Sequence, residues 1–497
     1  MSDATVFALL PNATSLPWRD VPEWPAEEFV RRTAAELDRG GRLCSWFAVP
    51  ESAEPGAALR LVAVIAFDAD NTLAVGRSTP VTGAYPSLTV SHTQAHLFER
   101  EIWEEHHLMP VGHPWLKPVR ASAGDAPANA DFFRVDGGEI HEVAVGPVHA
   151  GIIEPGHFRF QCAGEEVIHL EIALGYQHRG IERALAGGPH RLSERQIETV
   201  AGDTTIAHAT AYATVMEALA RGEASLRAQW LRAVALEFER LANHTGDMGA
   251  LAGDVAFLPT AAACGKLRGD FLNLTAALCG NRFGRGVVRP FADGPSVTPE
   301  LVSQLQGNLT RALADVEQAL AWFWDAASVR GRFENVGVVH REQAVEIGLV
   351  GLAARACGLV RDVRYDHPAG WHRFAQAPVA VWPGGDVFAR ARVRSLEIQR
   401  SGDFLREQLA VPPDADALCE VPTTVGDSLA VALVEGWRGE VCHVAVTDGA
   451  GRFRRYKITD PSFHNWAGLA LAMRGNAISD FPICNKSFSL SYCGFDL

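Results

Sequence analysis

GPVHAGIIEPGHFRFQCAGEEVIHLEIALGYQHRGIERAL, residues 146–185, decides how this chain reads, together with TVAGDTTIAH at 199–208. The centre of the first piece, FRFQCAGEEVIHLEIAL, predicts strands. Around it sit a carboxylate and two imidazoles, Glu154, His149 and His157, and the charged run Gln177-His178-Arg179-Gly180 follows. Proton transfer at neutral pH uses such groups, because histidine titrates near neutrality and a carboxylate moves toward it when its surroundings disfavour charge. The plainer reading of Glu154 is a loop carboxylate facing water beside Pro155 and Gly156.

Downstream, the pattern turns helical. RLSERQIETVAGDTTIAHATAYATVMEALARG (191–222) predicts a helix capped by Ser193, followed by a long helix in LRAQWLRAVALEFERLANHTGDMGALAGDVAFL (226–258). A third, LVSQLQGNLTRALADVEQALAWFWDAASVR (301–330), has apolar residues three and four apart, so a helical bundle with small flanking sheets is expected. Upstream, RLCSWFAVP (42–50) and LRLVAVIAFDA (59–69) read as strands of a small α/β unit. The small, polar, proline-containing stretch from 121 to 139 reads as a linker. The expectation is an α+β chain with one domain at 1–125, a linker at 126–139 and a second domain at 140–497.

At 497 residues, with 47% hydrophobic and 21% charged residues, the chain can bury a large core. Its net charge of −14 argues against nucleic acid as a partner, since phosphate binding needs a basic face. There is no apolar run long enough to span a bilayer and no basic, then apolar leader, so a cytoplasmic location is expected. Nine cysteines, at 44, 162, 264, 279, 357, 419, 442, 484 and 493, include no Cys-x-x-Cys and suggest neither a disulfide framework nor a zinc or iron-sulfur signature. GNRFGRG matches neither a dinucleotide nor a Walker pattern and reads as turns; no NAD site is seen.

Residues 146–208 resemble the metal-cradling segment of nickel-iron hydrogenase large subunits. The likeness continues through GNRFGRGVVRP (280–290), RACGLVRDVRYDHP (355–368), VEGWRGE (434–440), RYKITDPSFHNW (455–466) and DFPICNKSFSLSYC (480–493), in the order of the forty-nine-kilodalton subunit of complex I and of energy-converting hydrogenases. LFEREIWEEHHLMPVGHPWLKPVR (97–120) resembles the thirty-kilodalton subunit of complex I, as fused in group 4 hydrogenases of the hydrogenase-4 and formate hydrogenlyase type. The resemblance implies a subunit of a peripheral, membrane-associated oxidoreductase on the cytoplasmic side. Its partners would be a small subunit carrying a [4Fe-4S] cluster and ion-translocating membrane subunits, in a hetero-oligomer.

A nickel-iron centre needs four thiolates. The family pattern Arg-x-Cys-Gly-x-Cys-Ser-x-x-His puts its cysteines at Ala201 and Thr204, and Asp-Pro-Cys-x-x-Cys puts them at Ser491 and Gly494. All four thiols are absent; Cys484 and Cys493 fall out of register. The resemblance therefore implies a cavity without nickel-iron that serves a quinone or another acceptor, with an active hydrogenase and a non-catalytic scaffold as alternatives. Of the quinone residues of complex I, the aspartate matches Asp254, ten residues after Asn243-His244; the tyrosine falls on Gly202, and the histidine role falls to His149 or His157. Glu154 matches the proton-carrying glutamate of hydrogenases. Arg438 takes the place of the arginine over the metal, where it would pair with Asp254 or Glu154 or bind an anionic group. His178 and Arg179 would fix their loop against the iron-sulfur partner, and Asp362, Arg364, Asp366 and His367 read as a structural ion-pair knot.

Overall fold

The computed structural model describes residues 6–52, 54, 56–120, 131–149, 153–414 and 423–497. Strands Arg42–Pro50, Leu59–Phe67 and Thr72–Ser78 run antiparallel side by side, and Ala8–Leu10 extends the sheet. Leu59–Phe67 is apolar almost throughout because both its faces are covered. Leu61, Ala63 and Ile65 meet the helix Ala26–Asp38 side, where Trp24, Phe29 and Trp46 stack at 6.2 and 5.1 Å. Val62, Val64 and Ala66 point the other way, into a second sheet.

That second sheet consists of Ser428–Glu435, Glu440–Thr447 and Phe453–Thr459, joined by Thr14–Pro17 from the N-terminal region. Thr14 pairs with Val431 and Pro17 with Ser428. Leu429, Val431, Leu433, Cys442, Val444 and Val446 pack on the first sheet in one apolar layer. The N-terminal region thus supplies both a covering sheet and a strand to the part of the chain that follows the bundle. The expected linker falls partly outside the described residues, since 121–130 are not among them.

The bundle is centred on Leu226–Asp254, a 29-residue helix capped by Ser225, whose side chain accepts from the Ala228 amide. Leu258–Cys279, Pro299–Asp325 and Val387–Ala410 pack around it, the last two capped by Thr298 and Asp386. The single helix expected over 191–222 is interrupted: Ser193–Ile197 and Thr205–Leu219 are separate, and Ser193 lies inside the first while its hydroxyl accepts from the His190 amide. Residues 198–204 break the helix at Ala201-Gly202-Asp203-Thr204, where glycine disfavours the helix locally and Asp203 and Thr204 are bonded by the distant Arg438. The three strands at 428–459 are not among the expected elements, although VEGWRGE forms the turn between the first two and RYKIT lies in the third.

Candidate functional site

The 198–204 break, the 436–439 hairpin turn and residues 489–494 converge. Gly439, at φ +140°, brings the turn so close to Gly351 that an added Cβ would lie 2.7 Å from the Gly351 Cα. This seats Arg438 with its guanidinium over the Trp437 ring, 3.9 Å from the centroid. Arg438 Nη1 and Nη2 donate to the two Asp203 carboxylate oxygens at 2.6 and 2.7 Å, Nη1 also donates to Thr204 Oγ1 at 3.0 Å, and Nε donates to the Ser489 carbonyl. Burial opposes both charges, yet the pairing holds Asp203 below its usual range and Arg438 above its own. Arg438 therefore pairs with neither Asp254 nor Glu154.

The family's metal positions lie around this ion pair. Ala201 offers a methyl; Thr204 spends its hydroxyl on Asp203, Arg438 and Trp437; Ser491 Oγ caps a helix turn by accepting from the Gly494 amide at 2.9 Å. A set of one methyl, two engaged hydroxyls and a glycine does not fit a cluster that requires soft thiolates. The guanidinium bridges the two segments that such a cluster would tie together. Among the described residues, no group of three or more His, Cys, Asp or Glu side chains is placed to hold a metal ion.

Glu154 meets the Cys493 thiol, which burial first and the carboxylate second push up to about 11, and the Gly202 amide also reaches that sulfur. Gly202 itself is exposed, and an added Cβ would meet nothing within 4 Å, so the surface is open at this position. Arg179 stitches the loop together, donating to the carbonyls of Thr199 at 2.6 Å, Val200 at 3.0 Å and Cys493 at 3.3 Å, while His178 Nδ1 bonds the Asp496 carbonyl at 2.7 Å. Asp254 is ion-paired with Lys486, and its Oδ2 is buried without a hydrogen bond. Asp247, seven residues earlier on the same helix face, accepts from Ser489 Oγ at 2.9 Å and pairs with Arg394 at 2.8 Å.

The two loop histidines are turned elsewhere. His149 Nε2 bonds the Gly156 carbonyl at 2.9 Å, and His157, in strand His157–Ala163, bonds the Gly146 carbonyl at 3.3 Å and packs on Phe132. The site thus gathers Glu154, Gly202, Arg179 and Arg438 with the two former ligand segments, but not His157.

Other residues belong here that sequence reasoning misses. Beneath Gly494, where an added Cβ would come 2.7 Å from Asp460, runs a fully buried chain. Asp460 bonds His208 at 3.0 Å, His208 bonds His443 at 3.0 Å, and His443 bonds the Tyr456 hydroxyl at 2.9 Å. Burial drives His443 far below its ordinary value; burial would raise Asp460, but His208 and Arg438 hold it low. An ionised Asp460 accepts from His208 Nε2–H, and a neutral His443 links the other edge of that imidazole to the Tyr456 hydroxyl. His208, Tyr456 and Asp460 all lie in the quoted motifs, but only folding joins them.

Glu239 is the second omission. It accepts from the amides of Ile206 at 2.8 Å and Ala207 at 3.4 Å, capping the helix that starts at Thr205, and faces a small crevice with Gly202 and Asp203. Burial foremost, with Asp203 adding, raises it from 4.5 to about 8. A raised carboxyl binds its proton more tightly folded than unfolded, so its contribution is complete below about pH 4.5 and lost as pH rises to about 8. The unfolding free energy is expected to fall by about 1.4 kcal/mol per pH unit across that window from this group. In Glu239→Gln, which keeps the amide contacts, denaturant titrations at several pH values are expected to lack that slope; an unchanged slope would place it on another group.

The family described as "Respiratory-chain NADH dehydrogenase, 49 Kd subunit" matches residues 254–428 and 418–496. Formate hydrogenlyase subunit 5 of Escherichia coli (strain K12) is 27% identical over 82% of this chain and 76% of its own length. The carbon monoxide-induced hydrogenase of Rhodospirillum rubrum is 28% identical over 70% of this chain and 96% of its own. An NADH-quinone oxidoreductase subunit of Herpetosiphon aurantiacus is 30% identical, again over 70% and 96%. The chain belongs to the family of the 49 Kd subunit of respiratory-chain NADH dehydrogenase.

Proposed function

We propose that this protein is the large subunit of a membrane-associated oxidoreductase of complex I-like or hydrogenase-4-like type. With a small subunit carrying a [4Fe-4S] cluster, it would form a redox cavity without nickel-iron, serving a quinone or similar acceptor and coupled to ion-translocating membrane subunits. Residues 1–125 would be the fused region that resembles the thirty-kilodalton subunit. No helix among the described residues is long and apolar enough to cross a membrane, which fits a peripheral subunit.

The observation that carries this reading is Arg438, which bonds Asp203 in one of the two segments and the Ser489 carbonyl in the other, while Gly202 leaves the adjoining surface open. Glu154, next to that opening, and Asp254, with one oxygen unbonded, are the proton-handling groups proposed for it. The scaffold reading draws on the same ion pair, since a guanidinium bonded on three sides has little left for an acceptor.

The test is metal analysis and turnover of the assembled complex. Iron without stoichiometric nickel is expected, with quinone-analogue reduction slowed about 100-fold or more in Glu154→Gln and Asp254→Asn. Stoichiometric nickel in the chain would instead favour a hydrogenase, and unchanged turnover in both variants a scaffold.

A further inference from the structure

Away from that site, where the N-terminal region meets the final helices, a cavity of about 460 Å³ opens among Arg100, Trp115, Phe133, Ile172, Trp466 and Leu471. This is within the roughly 300–1,000 Å³ typical of small-molecule sites. Its inner wall is apolar: Leu97, Leu174, Trp466 and Phe495 are buried side chains that also line it. At the mouth, Trp115 and Phe133 meet edge to face at 6.2 Å and remain 42% and 45% exposed, so the aromatic rim is accessible. Large exposed rings beside a concave apolar wall are a recognition feature rather than a core.

Arg100 gives the cavity its chemistry. Its Nε donates to the Lys117 carbonyl at 2.8 Å and its Nη2 to the Pro118 carbonyl at 2.7 Å, leaving Nη1 without a hydrogen bond among the described residues. It forms no ion pair within 4 Å among those residues, whereas Arg42, Arg240, Arg355, Arg364 and Arg438 each do. Arg390 also lacks a carboxylate, but its Nε, Nη1 and Nη2 are all bonded and it lines no such cavity. Burial of the charge, only partly offset by the more distant Glu171 and Glu104, pushes Arg100 down to about 10. A half-buried guanidinium held only by carbonyls, with one nitrogen unbonded among the described residues, on a residue that lines a cavity, is suited to receive an oxyanion.

The neighbouring charges agree. Glu171 on the rim is already occupied, by Lys117, by Trp115 Nε1 at 3.1 Å and by the Phe133 amide at 2.8 Å. Arg474, exposed on the opposite side, adds a second positive group. His96, beside Arg100, is held neutral: burial first and Arg100 second bring it to about 3, so it adds a hydrogen-bonding edge without charge.

We propose that this cavity binds an amphipathic carboxylate, a compound with an apolar ring or short chain whose single carboxylate reaches Arg100 Nη1 while its body lies against Trp466 and Leu471. The site is independent of the redox reading, and its test needs no partner subunit.

The test is calorimetric titration of the full chain with 2-naphthoate and with decanoate, paired with the neutral alcohols 2-naphthalenemethanol and decanol. Saturable one-to-one binding of at least one acid is expected, at least about tenfold tighter than its alcohol. Arg100→Gln, which keeps donors for the two carbonyls, is expected to weaken binding about tenfold, and Ala470→Trp, which fills the cavity, to abolish it. Absence of binding by either acid overturns the proposal, as does equal affinity for acid and alcohol or undiminished binding in Ala470→Trp. The comparison of acid with alcohol is made on the unaltered protein, so it stands even where a variant folds poorly.

Discussion

Replacing Arg438 by methionine is expected to lower the unfolding free energy by about 1–3 kcal/mol at pH 7, because it leaves the half-buried Asp203 carboxylate, 35% exposed, without its cation. The loss exceeds that of a surface ion pair, about 0–1 kcal/mol, since Arg438 is 8% exposed and donates to three residues. The pH dependence should reverse. Asp203 is held below its usual range, so it contributes stability above pH 3.8 that is lost as pH falls through its folded value. Without Arg438, burial and the nearby Asp460 push the carboxyl up against the Thr204 hydroxyl alone, and stability falls as pH increases instead. Adding Asp203→Leu is expected to restore most of the loss, because a partnerless charge, not the absent pair, is the main cost. Denaturant melts of the two single variants and the double variant check this; additive losses would show that the pair does not cross-link the segments.

A larger loss, about 3–5 kcal/mol, is expected for Arg355→Met. Arg355 is fully buried and donates to Glu435 at 2.7 Å, Glu397 at 2.6 Å and the Arg361 carbonyl at 2.9 Å, with Asp362 at 3.6 Å. Glu397 in turn holds His244 and approaches Arg240 at 3.6 Å, and Arg364 joins Asp362 to Glu237. Removing one arginine thus unbalances three carboxylates. Glu435 already stands at about 7, raised by burial first and Asp362 second; without Arg355 it rises further. Its proton is bound more tightly in the folded state, so the variant's deficit should be smallest near pH 5 and grow toward pH 8. Thermal melts across that range check it; a deficit that does not change with pH would assign the loss to packing alone.

Much of the helical bundle was legible because its signals are local. Ser225, Thr298 and the apolar spacing of 226–258 and 301–330 mark elements whose hydrogen bonds close within four residues. The N-terminal strands were legible for a similar reason, as apolar runs bounded by turns. The sheet at 428–459 was less so, since its strands, parted by the turn at Gly436–Gly439, take their edge partner Thr14–Pro17 and the sheet that covers them from the far end of the chain. The helix expected through 198–204 is interrupted at Gly202, a local breaker, and beside it Asp203 is bonded by Arg438, 235 residues away.

For the site, the chain's own order of residues determined the family resemblance, the absence of thiols at 201, 204, 491 and 494, and the candidacy of Glu154, Asp254 and Arg438. Residue identity is enough to exclude a thiolate donor set. Only the tertiary structure decided what each charge faces: Asp203 for Arg438, Lys486 for Asp254, Cys493 for Glu154, and the Asp460–His208–His443–Tyr456 chain below them. A buried charge must find its counter-charge in space rather than along the chain, and the successive links of that buried chain join groups 252, 235 and 13 residues apart.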